Sequence, residues 1–501
     1  MKEYDLIIIG TGSAMNIAGP YLHQHPDAKI AVIDKDDPGG ICLTRGCIPS
    51  KLLLYPADLV RTAEKGSGLG IEINVEKVHF NAVMERMRLI VSMDIMQIRE
   101  SLKASPAIDY FPEPAAFIEP YTLTVGKETI KGDMIFLCTG SKPFIPDIPG
   151  LKESGYYDSD SFLELKELPR RWVIIGGGYI AAEYGHFLSA MGAEVTILGR
   201  NSRFLKEEEP EISKLAQKTM TEDMTIHTGA EVTEISRGAN GEGVTVLARK
   251  GDESITVEAD AVLVASGRAP NSDILDPDAG GIETTPEGWI KVDSSFETSQ
   301  KNVWAFGDAT GKHLFKHVAN YESEIVYYNA VTGEDPPLAP DYRAVPHAVF
   351  TYPEIAAVGM GASEAVALYG EENIAIGFSL FEQTAKGMAM DLHESGFFVK
   401  VILHDESEEI LGAHIIGPEA SVLIHEIIAA MNSAERTFPY GMMHIHPALS
   451  EVVANAFGEL MSIADYHHLL SHLTGEADHD HHHHDHDDDH DGDDHGGDNV
   501  S

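Results

Sequence analysis

The sequence predicts an α/β fold with two Rossmann-like βαβ units, a separate C-terminal α+β domain and a disordered tail. Strand–glycine–helix patterns recur at Gly10 and Gly176, and each is followed by a second apolar strand. From residue 345 onward, alternating strands lead into a helix over 420–431. From residue 467 the composition changes to His, Asp and Gly, which cannot build a packed core.

Length, net charge and hydropathy limit the number of domains, the partners and the location that can be expected. A length of 501 residues predicts about three domains. The formal net charge is −44, and it remains −33 without the ten Asp and one Glu of residues 474–501. Because like charges repel, neither nucleic acid nor an anionic membrane is expected as a partner. There is no secretory signal and no apolar run of membrane-spanning length, so a cytoplasmic protein is expected.

The first glycine loop predicts a dinucleotide site. Gly10 and Gly12 follow the apolar strand 4–9, where a bare backbone lets a pyrophosphate approach the start of a helix. Asp34 ends the second strand, in position to accept a ribose hydroxyl. Met15 occupies the place of the third glycine. Alone, such a loop could also be an ordinary tight turn of an α/β protein.

The second loop matches the dinucleotide pattern fully, with Gly176, Gly178 and Ala181. No acidic residue follows its second strand; Arg200 and Arg203 stand there instead. Arginines suit the 2′-phosphate of NADP, whereas an acid would bind the 2′-hydroxyl of NAD. The alternative is that both arginines are solvated surface residues.

The pair Cys42 and Cys47 is the most informative feature. Two cysteines five residues apart, at the start of a helix, can form a disulfide, and the helix start lowers a thiol pKa. Arg45 between them could lower it further. Two buried apolar cysteines or half of a metal site are the alternatives, but Cys138, inside an apolar strand, is expected to be structural.

The order of motifs resembles the flavin-dependent pyridine nucleotide–disulfide oxidoreductases, from residue 4 to about residue 460. That order is a Gly-x-Gly loop, Cys-x4-Cys-x2-Ser-Lys, a second Gly-x-Gly loop, Gly-Asp and a late His-Pro. The resemblance implies an FAD-binding domain in two parts (1–150 and 271–345), an NAD(P)-binding domain (151–270), a dimerisation domain (346–466) and the tail (467–501).

The resemblance also implies the roles of single residues. Cys42 would exchange with substrate, Cys47 would face the flavin, and Lys51 would pair with Glu183 beside it. FAD would be held by Gly10, Gly12, Asp34, Lys51, Gly140, Asp308 and Ala319. The nucleotide would be held by Gly176, Gly178, Tyr179, Ala181, Arg200 and Arg203, and Glu183 and Gly267 are the remaining cofactor-binding residues.

His446, just before a proline, would be the catalytic base, and Glu451 would orient it. In the family this histidine reaches the disulfide of the other subunit, so the resemblance implies a homodimer. Without the resemblance, a His-Pro pair would be interpreted as a turn.

Local stretches such as 179–183 and 316–320 are most similar to mycothione reductases. A small disulfide or dihydrolipoamide is therefore the expected substrate, with NADPH as the coenzyme and NADH as the alternative. Other hypotheses are an FAD-dependent reductase of Cu or Hg ions, and a metal-binding protein that uses its tail.

The tail is expected to bind transition-metal ions, since imidazoles are ligands for Ni, Cu and Zn. The alternatives are an acidic solvating segment or a purification tag. The predicted ligands are His479, His481, His482, His483, His484 and His486.

Overall fold

The computed structural model of the chain describes residues 1–238, 241–333, 335–439 and 441–474. The predicted α/β class with a C-terminal α+β domain is confirmed. The six predicted histidine ligands of the tail lie outside the described residues. The tail was predicted to begin at 467, which is wrong: a helix runs on to Thr474 because Leu470 still packs against an apolar cluster. The other predicted domain bounds stay predictions.

The first sheet has the strand order β3-β2-β1-β6-β5-β4. Strands β1, β2, β3 and β6 are parallel, and Leu6 to Ile9 are almost fully buried, as expected for a strand covered on both faces. The elements are β1 (Lys2–Ile9), α1 (Met15–Gln24), β2 (Ile30–Ile33), α2 (Gly40–Thr44), α3 (Cys47–Glu64), α4 (Phe80–Ala104), β3 (Ile108–Phe111), β4 (Ala115–Glu119), β5 (Thr122–Val125), β6 (Glu128–Leu137) and β7 (Ser141–Pro143).

The second unit is a parallel sheet in the order β10-β9-β8-β14 with a three-stranded antiparallel sheet, β11 to β13, beside it. Its elements are α5 (Leu151–Ser154), β8 (Arg171–Ile175), α6 (Tyr179–Ala190), β9 (Glu194–Gly199), α7 (Pro210–Met220), β10 (Thr225–Thr228), β11 (Glu231–Arg237), β12 (Val244–Lys250), β13 (Glu253–Ala259) and β14 (Ala261–Val264).

The chain then returns to the first sheet. It forms β15 (Arg268–Pro270), β16 (Val303–Ala305) and α8 (Lys316–Tyr327). Strand β16 pairs in parallel with β6, and β15 pairs with β7. The first sheet is therefore completed only after the whole second unit.

The last sheet is antiparallel, in the order β17-β18-β21-β20-β19-β22. Its elements are β17 (Pro346–Val349), β18 (Glu354–Gly359), α9 (Ala362–Tyr369), β19 (Ile374–Leu380), α10 (Ala385–Ala389), β20 (Phe398–His404), β21 (Ile410–Gly417), α11 (Ala420–Met431), α12 (Glu451–Gly458), β22 (Leu460–Ser462) and α13 (Ile463–Thr474). Across the described parts of the chain, no helix combines the length and apolar character needed to cross a bilayer.

A buried ion cluster joins the second unit to the last sheet. The side chain of Lys400 on β20 is 2% exposed and forms ion pairs with Glu209 and Glu211, at the start of α7. The hydroxyl of Tyr466 on α13 donates to Glu211 at 2.6 Å. Because a buried charge is costly without partners, these four side chains stabilise one another.

Candidate active site

The first glycine loop fits a dinucleotide. Gly10 has φ +108°, and a side chain there would lie 2.1 Å from the carbonyl oxygen of Cys138. A Cβ on Gly40 would lie 2.5 Å from Gly12 Cα, so two glycine backbones meet at the start of α1. No side chain fills this space, and the amide groups of a helix start attract a pyrophosphate. The close backbone approaches explain why glycine is needed at Gly10 and Gly40, while the contact of Gly10 and Gly12 with FAD stays a prediction.

Asp34, predicted to accept a ribose hydroxyl, also forms hydrogen bonds with the glycine loop. Its Oδ2 accepts hydrogen bonds from the amide (2.9 Å) and the hydroxyl (2.5 Å) of Thr11, and its Oδ1 accepts from Asp36 N at 3.1 Å. Burial raises the pKa of its carboxyl group. Asp34 thus holds the glycine loop in place, while its contact with a ribose stays a prediction.

Gly140, Gly267 and Asp308 come together around the short β7–β15 ribbon. Ser141 Oγ donates to Asp308 Oδ2 at 2.6 Å and accepts from Arg268 Nε at 3.0 Å. Burial raises the pKa of Asp308. A Cβ added at Gly140 or Gly267 would meet no atom within 4 Å, so there is open space at both positions, and their contact with FAD stays a prediction.

Helix α8 begins beside the cysteines. Lys316, its first residue, donates from Nζ to Ser13 Oγ at 2.9 Å, and its positive charge acts on the Cys42 thiol. Ala319 lies one turn further on and is 8% exposed. The sequence prediction included Ala319 and missed Lys316; a lysine in the first turn of a helix that should face a cofactor was the available signal.

Cys42 lies in α2 and Cys47 begins α3, which places the two sulfurs together. Both are free thiols, joined by a hydrogen bond. That bond and burial raise the pKa of Cys42, whereas the same bond lowers the pKa of Cys47 to about 6, with a further contribution from the charge of Lys51. The shared hydrogen bond therefore favours the proton on Cys42 and the negative charge on Cys47.

Lys51 and Glu183 form the predicted ion pair. Lys51 Nζ donates to both carboxylate oxygens of Glu183 at 2.9 Å, and it also lies 4.3 Å from the centroid of the Phe350 ring. Glu183 Oε1 accepts from the amide of Phe350 at 3.1 Å. One carboxylate thereby joins α3, α6 and the segment after β17. Its role beside a flavin stays a prediction.

Arg45, which the sequence led us to expect beside a thiol, is paired with two carboxylates instead. Its guanidinium pairs with Asp36 at 2.5 Å and with Asp160 at 3.6 Å. Two carboxylates thus offset its charge, and the cations that act most on the thiols are Lys316 at Cys42 and Lys51 at Cys47.

The second glycine loop has the geometry of the first. Gly176 has φ +136°, and a side chain there would lie 2.1 Å from the Ala265 carbonyl oxygen. Gly178 faces open space at the start of α6, and Ala181 is fully buried on that helix, where a larger side chain would separate it from the sheet. These positions suit a second pyrophosphate.

Tyr179 stacks on a residue that the sequence did not indicate. Its ring centroid lies 5.5 Å from that of His347, and His347 stacks on Phe315 at 6.0 Å. His347 is bonded to the buried Glu208 at 2.8 Å. Burial and the Glu208 carboxylate raise the pKa of Tyr179. This stack crosses from the second unit to β17, so no local pattern could have revealed it.

Arg200 and Arg203 lie where the sequence placed them, directly after β9. Both are exposed, and Arg203 donates to the carbonyl oxygen of Lys206 at 3.0 Å. Among the described residues neither guanidinium is paired with a carboxylate, so both charges are available to an anion at the end of the strand.

His446 and Glu451 form a pair at the start of α12. His446 Nδ1 lies 2.8 Å from Glu451 Oε1, and Glu451 Oε2 accepts from Ala448 N at 3.0 Å. The bond to His446 lowers the pKa of Glu451. The side chain of His446 is 73% exposed, whereas the nearby His444 is 13% exposed and bonded to Glu426. Among the described residues, no hydrogen bond or ion pair joins His446 to either cysteine of its own chain.

Two glycine loops at strand–helix junctions, with a pair of neighbouring thiols between them in the sequence, are typical of thiol–disulfide oxidoreductases. The family model described as pyridine nucleotide-disulphide oxidoreductase matches residues 4–325, and that of its dimerisation domain matches residues 345–457. The chain belongs to the pyridine nucleotide-disulphide oxidoreductase family. It is a flavoprotein enzyme that uses FAD and a pyridine nucleotide, with a redox-active cysteine pair and a dimerisation domain.

Similar proteins carry several activities in their names. The mycothione reductase of Mycobacterium tuberculosis is 34% identical over 471 residues, 91% of this chain and 99% of that protein. The dihydrolipoyl dehydrogenase of Chlamydia muridarum is 34% identical and covers 91% and 96%. The mercuric reductase of Staphylococcus aureus is 31% identical and covers 86% and 77%. The HOCl-induced flavoprotein disulfide reductase RclA of Escherichia coli, solved as a Cu(II) complex, superimposes with a TM-score of 0.79 at 27% identity, over 91% and 99%.

Substitutions at the Lys51–Glu183 pair are expected to move the pKa of Cys47 in opposite directions. Lys51→Met removes a cation and should raise it above about 6, whereas Glu183→Gln removes an anion and should lower it. The pH dependence of iodoacetamide labelling of Cys47 in the reduced protein, followed by peptide mass spectrometry, measures both. The exposed Lys131→Met is the control. Equal midpoints in all variants would contradict this electrostatic interpretation.

Proposed function

We propose that the chain is an FAD-dependent NADPH oxidoreductase that reduces a low-molecular-weight disulfide by exchange at Cys42. The contact between the two cysteine thiols, with Lys51 and Lys316 as neighbouring cations, carries this proposal. The lowered pKa of Cys47 favours its thiolate, and the raised pKa of Cys42 means that this thiol needs a base before it can attack. A dithiol in which one thiol ionises easily and the other keeps its proton is suited to stepwise thiol–disulfide exchange.

FAD, when bound, would carry an electron pair from the nicotinamide to the Cys42–Cys47 disulfide. In the reduced pair, Cys42 gives its proton to a base and attacks one sulfur of the substrate. The substrate S–S bond breaks, and the first thiol leaves with that proton. Cys47 then attacks the Cys42 sulfur, which re-forms the disulfide and releases the second thiol, protonated from solvent. NADPH and one proton thus convert one disulfide into two thiols.

His446 is the proposed base, with Glu451 as its orienting carboxylate. The 2.8 Å bond to Glu451 fixes the ring through Nδ1 and leaves Nε2 free to exchange a proton. Since His446 is exposed and makes no bond to the cysteines of its own chain, it is proposed to act on Cys42 of a second copy in a homodimer. The dimerisation domain that contains His446 supports this arrangement.

The substrate is proposed to be a small disulfide of the mycothione type, with oxidation of dihydrolipoamide as the reverse reaction. The 34% identity to a mycothione reductase supports this proposal. The identity to a dihydrolipoyl dehydrogenase is equal, so lipoamide is included among the substrates to be tested. Steady-state rates on mycothione, lipoamide, glutathione, coenzyme A and bacillithiol disulfides should show one with kcat/KM above about 10⁴ M⁻¹s⁻¹. Uniformly slow reduction of every disulfide would overturn the proposal.

The preference for NADPH is proposed to depend on Arg200 and Arg203. Each Arg→Ala substitution is expected to lower kcat/KM for NADPH by about tenfold or more, because a hydrogen bond to a charged group contributes about 1.5–3 kcal/mol. The kcat/KM for NADH should change little, since NADH lacks the 2′-phosphate. Arg170→Ala, at an arginine whose side chain is 79% exposed in the same unit, is the control. Equal losses with both coenzymes, or a native preference for NADH, would overturn it.

Reduction of a metal ion is the second candidate. A Cu(II) complex among the similar structures and a mercuric reductase among the relatives favour it. The same dithiol would then supply the electrons to bound Cu(II) or Hg(II). Rates of NADPH oxidation with each ion, compared with the best disulfide, decide between the candidates. A metal rate that exceeds the best disulfide rate and is lost in Cys42→Ser would establish the second.

A further inference from the structure

The last helix carries two histidines one turn apart. His468 and His472 on α13 are both exposed, and their Nε2 atoms lie 3.0 Å from each other. The ring centroids are 4.4 Å apart and the ring planes cross at 86°. The two Nε2 atoms are joined by a hydrogen bond, so each imidazole presents a ring nitrogen to the same place beside the helix.

This spacing suits one metal ion. Two nitrogens about 2.0–2.1 Å from the same ion stand about 2.9 Å apart at a right angle and about 3.4 Å apart at the tetrahedral angle. The observed 3.0 Å lies close to the right-angle value. Right angles between nitrogen ligands are typical of tetragonal Cu(II) and Ni(II), and Cu(II) binds imidazole more strongly than its divalent neighbours.

The pair sits on a fixed support. Tyr466, two residues before His468, is 2% exposed, and its hydroxyl is bonded to Glu211 at 2.6 Å. Leu470 packs inward between the two histidines. A helix anchored in this way keeps both imidazoles on one outer face, so little ordering is needed when an ion binds.

We propose that His468 and His472 form a binding site for a Cu(II)-like divalent transition ion, with water in the other coordination positions. Within the described residues no group of three or more His, Cys, Asp or Glu is arranged around a metal, so the site has two protein ligands there. This inference does not depend on the proposed enzymatic activity. It also differs from the predicted tail site, whose first histidine comes seven residues after His472.

The test isolates the pair in the full-length, oxidised protein, in which a disulfide occupies Cys42 and Cys47 and Cys138 packs against an apolar cluster. The eight histidines after residue 474 are first changed to glutamine; they are His479, His481, His482, His483, His484, His486, His490 and His495. Calorimetric titration with Cu(II) alone should find one tight site per chain, with a tetragonal EPR signal that shows two nitrogen ligands. In this background His468→Gln or His472→Gln should raise its Kd by about tenfold or more, because the second ligand no longer binds intramolecularly.

His467→Gln is the matched control, since it changes an exposed neighbouring histidine outside the pair and should leave the site intact. A tight site that survives both His468→Gln and His472→Gln, or the absence of a tight site in the tail-substituted protein, would overturn the proposal. Disulfide reduction is measured on the same samples. Unchanged turnover with lost copper binding is the expected result, which separates this site from the active site.

Discussion

Serine at Cys42 or at Cys47 is expected to lower the rate of disulfide reduction by at least about a thousandfold, because each thiol makes a bond that no other group can replace. Variants at Cys42 should also differ in the pKa of the remaining thiol, Cys47. Cys42→Ser keeps a hydrogen-bond donor beside Cys47, so the pKa of Cys47 should stay near its value of about 6. Cys42→Ala removes the donor, which is the largest cause of that low value, and the pKa should rise.

Turnover with NADPH and a disulfide measures the first effect, and the pH dependence of Cys47 labelling measures the second. Reduction of an artificial one-electron acceptor, which bypasses the dithiol, should persist in each variant and shows that the cofactors still bind. Cys138→Ala, in an apolar part of the first sheet, is the control and should keep full turnover. More than about a tenth of wild-type disulfide reduction in either serine variant would rule out the exchange mechanism.

Glutamine at His446 is expected to lower kcat for disulfide reduction by about 10²–10⁴-fold, the usual contribution of a general base. Glu451→Gln should cost less, because the histidine remains and loses only its orienting carboxylate. His444→Gln is the control, since that side chain is largely covered and bonded to Glu426. A loss at His444 as large as that at His446 would contradict the assignment of the base.

Mixed dimers test whether His446 acts across subunits. A dimer of one Cys42→Ser chain with one His446→Gln chain contains one intact site only if the base comes from the opposite chain. Random pairing should restore about a quarter of the wild-type activity, because half of the dimers are mixed and each has one working site of two. If the base acts within its own chain, every mixed dimer stays inactive.

The parts of the fold and site that depend on neighbours in sequence were predictable. The glycine loops at Gly10 and Gly176 follow apolar strands, and the structure gives both the positive φ that such turns require. The ion pair of Lys51 with Glu183 and the contact of His446 with Glu451 could be inferred from the family resemblance, and the structure places both pairs within 2.9 Å.

Contacts between distant segments could not be predicted. His347 contacts Tyr179 and Glu208 because the last sheet packs on the second unit. Arg45 pairs with Asp160, which is more than a hundred residues away in the sequence. The beginning of the tail was also missed. The composition after residue 467 is polar, yet Leu470 packs against apolar residues from distant parts of the sequence, and this packing stabilises the helix beyond residue 467.

The Lys400 cluster limits how this protein can be engineered. Its lysine belongs to the last sheet and its two carboxylates belong to the nucleotide-binding unit. Transplanting a foreign nucleotide-binding unit would leave a buried ammonium without counter-ions, unless the donor carries equivalents of Glu209 and Glu211. Coenzyme preference is therefore better altered by point substitutions at the rim of that unit than by exchange of the whole module.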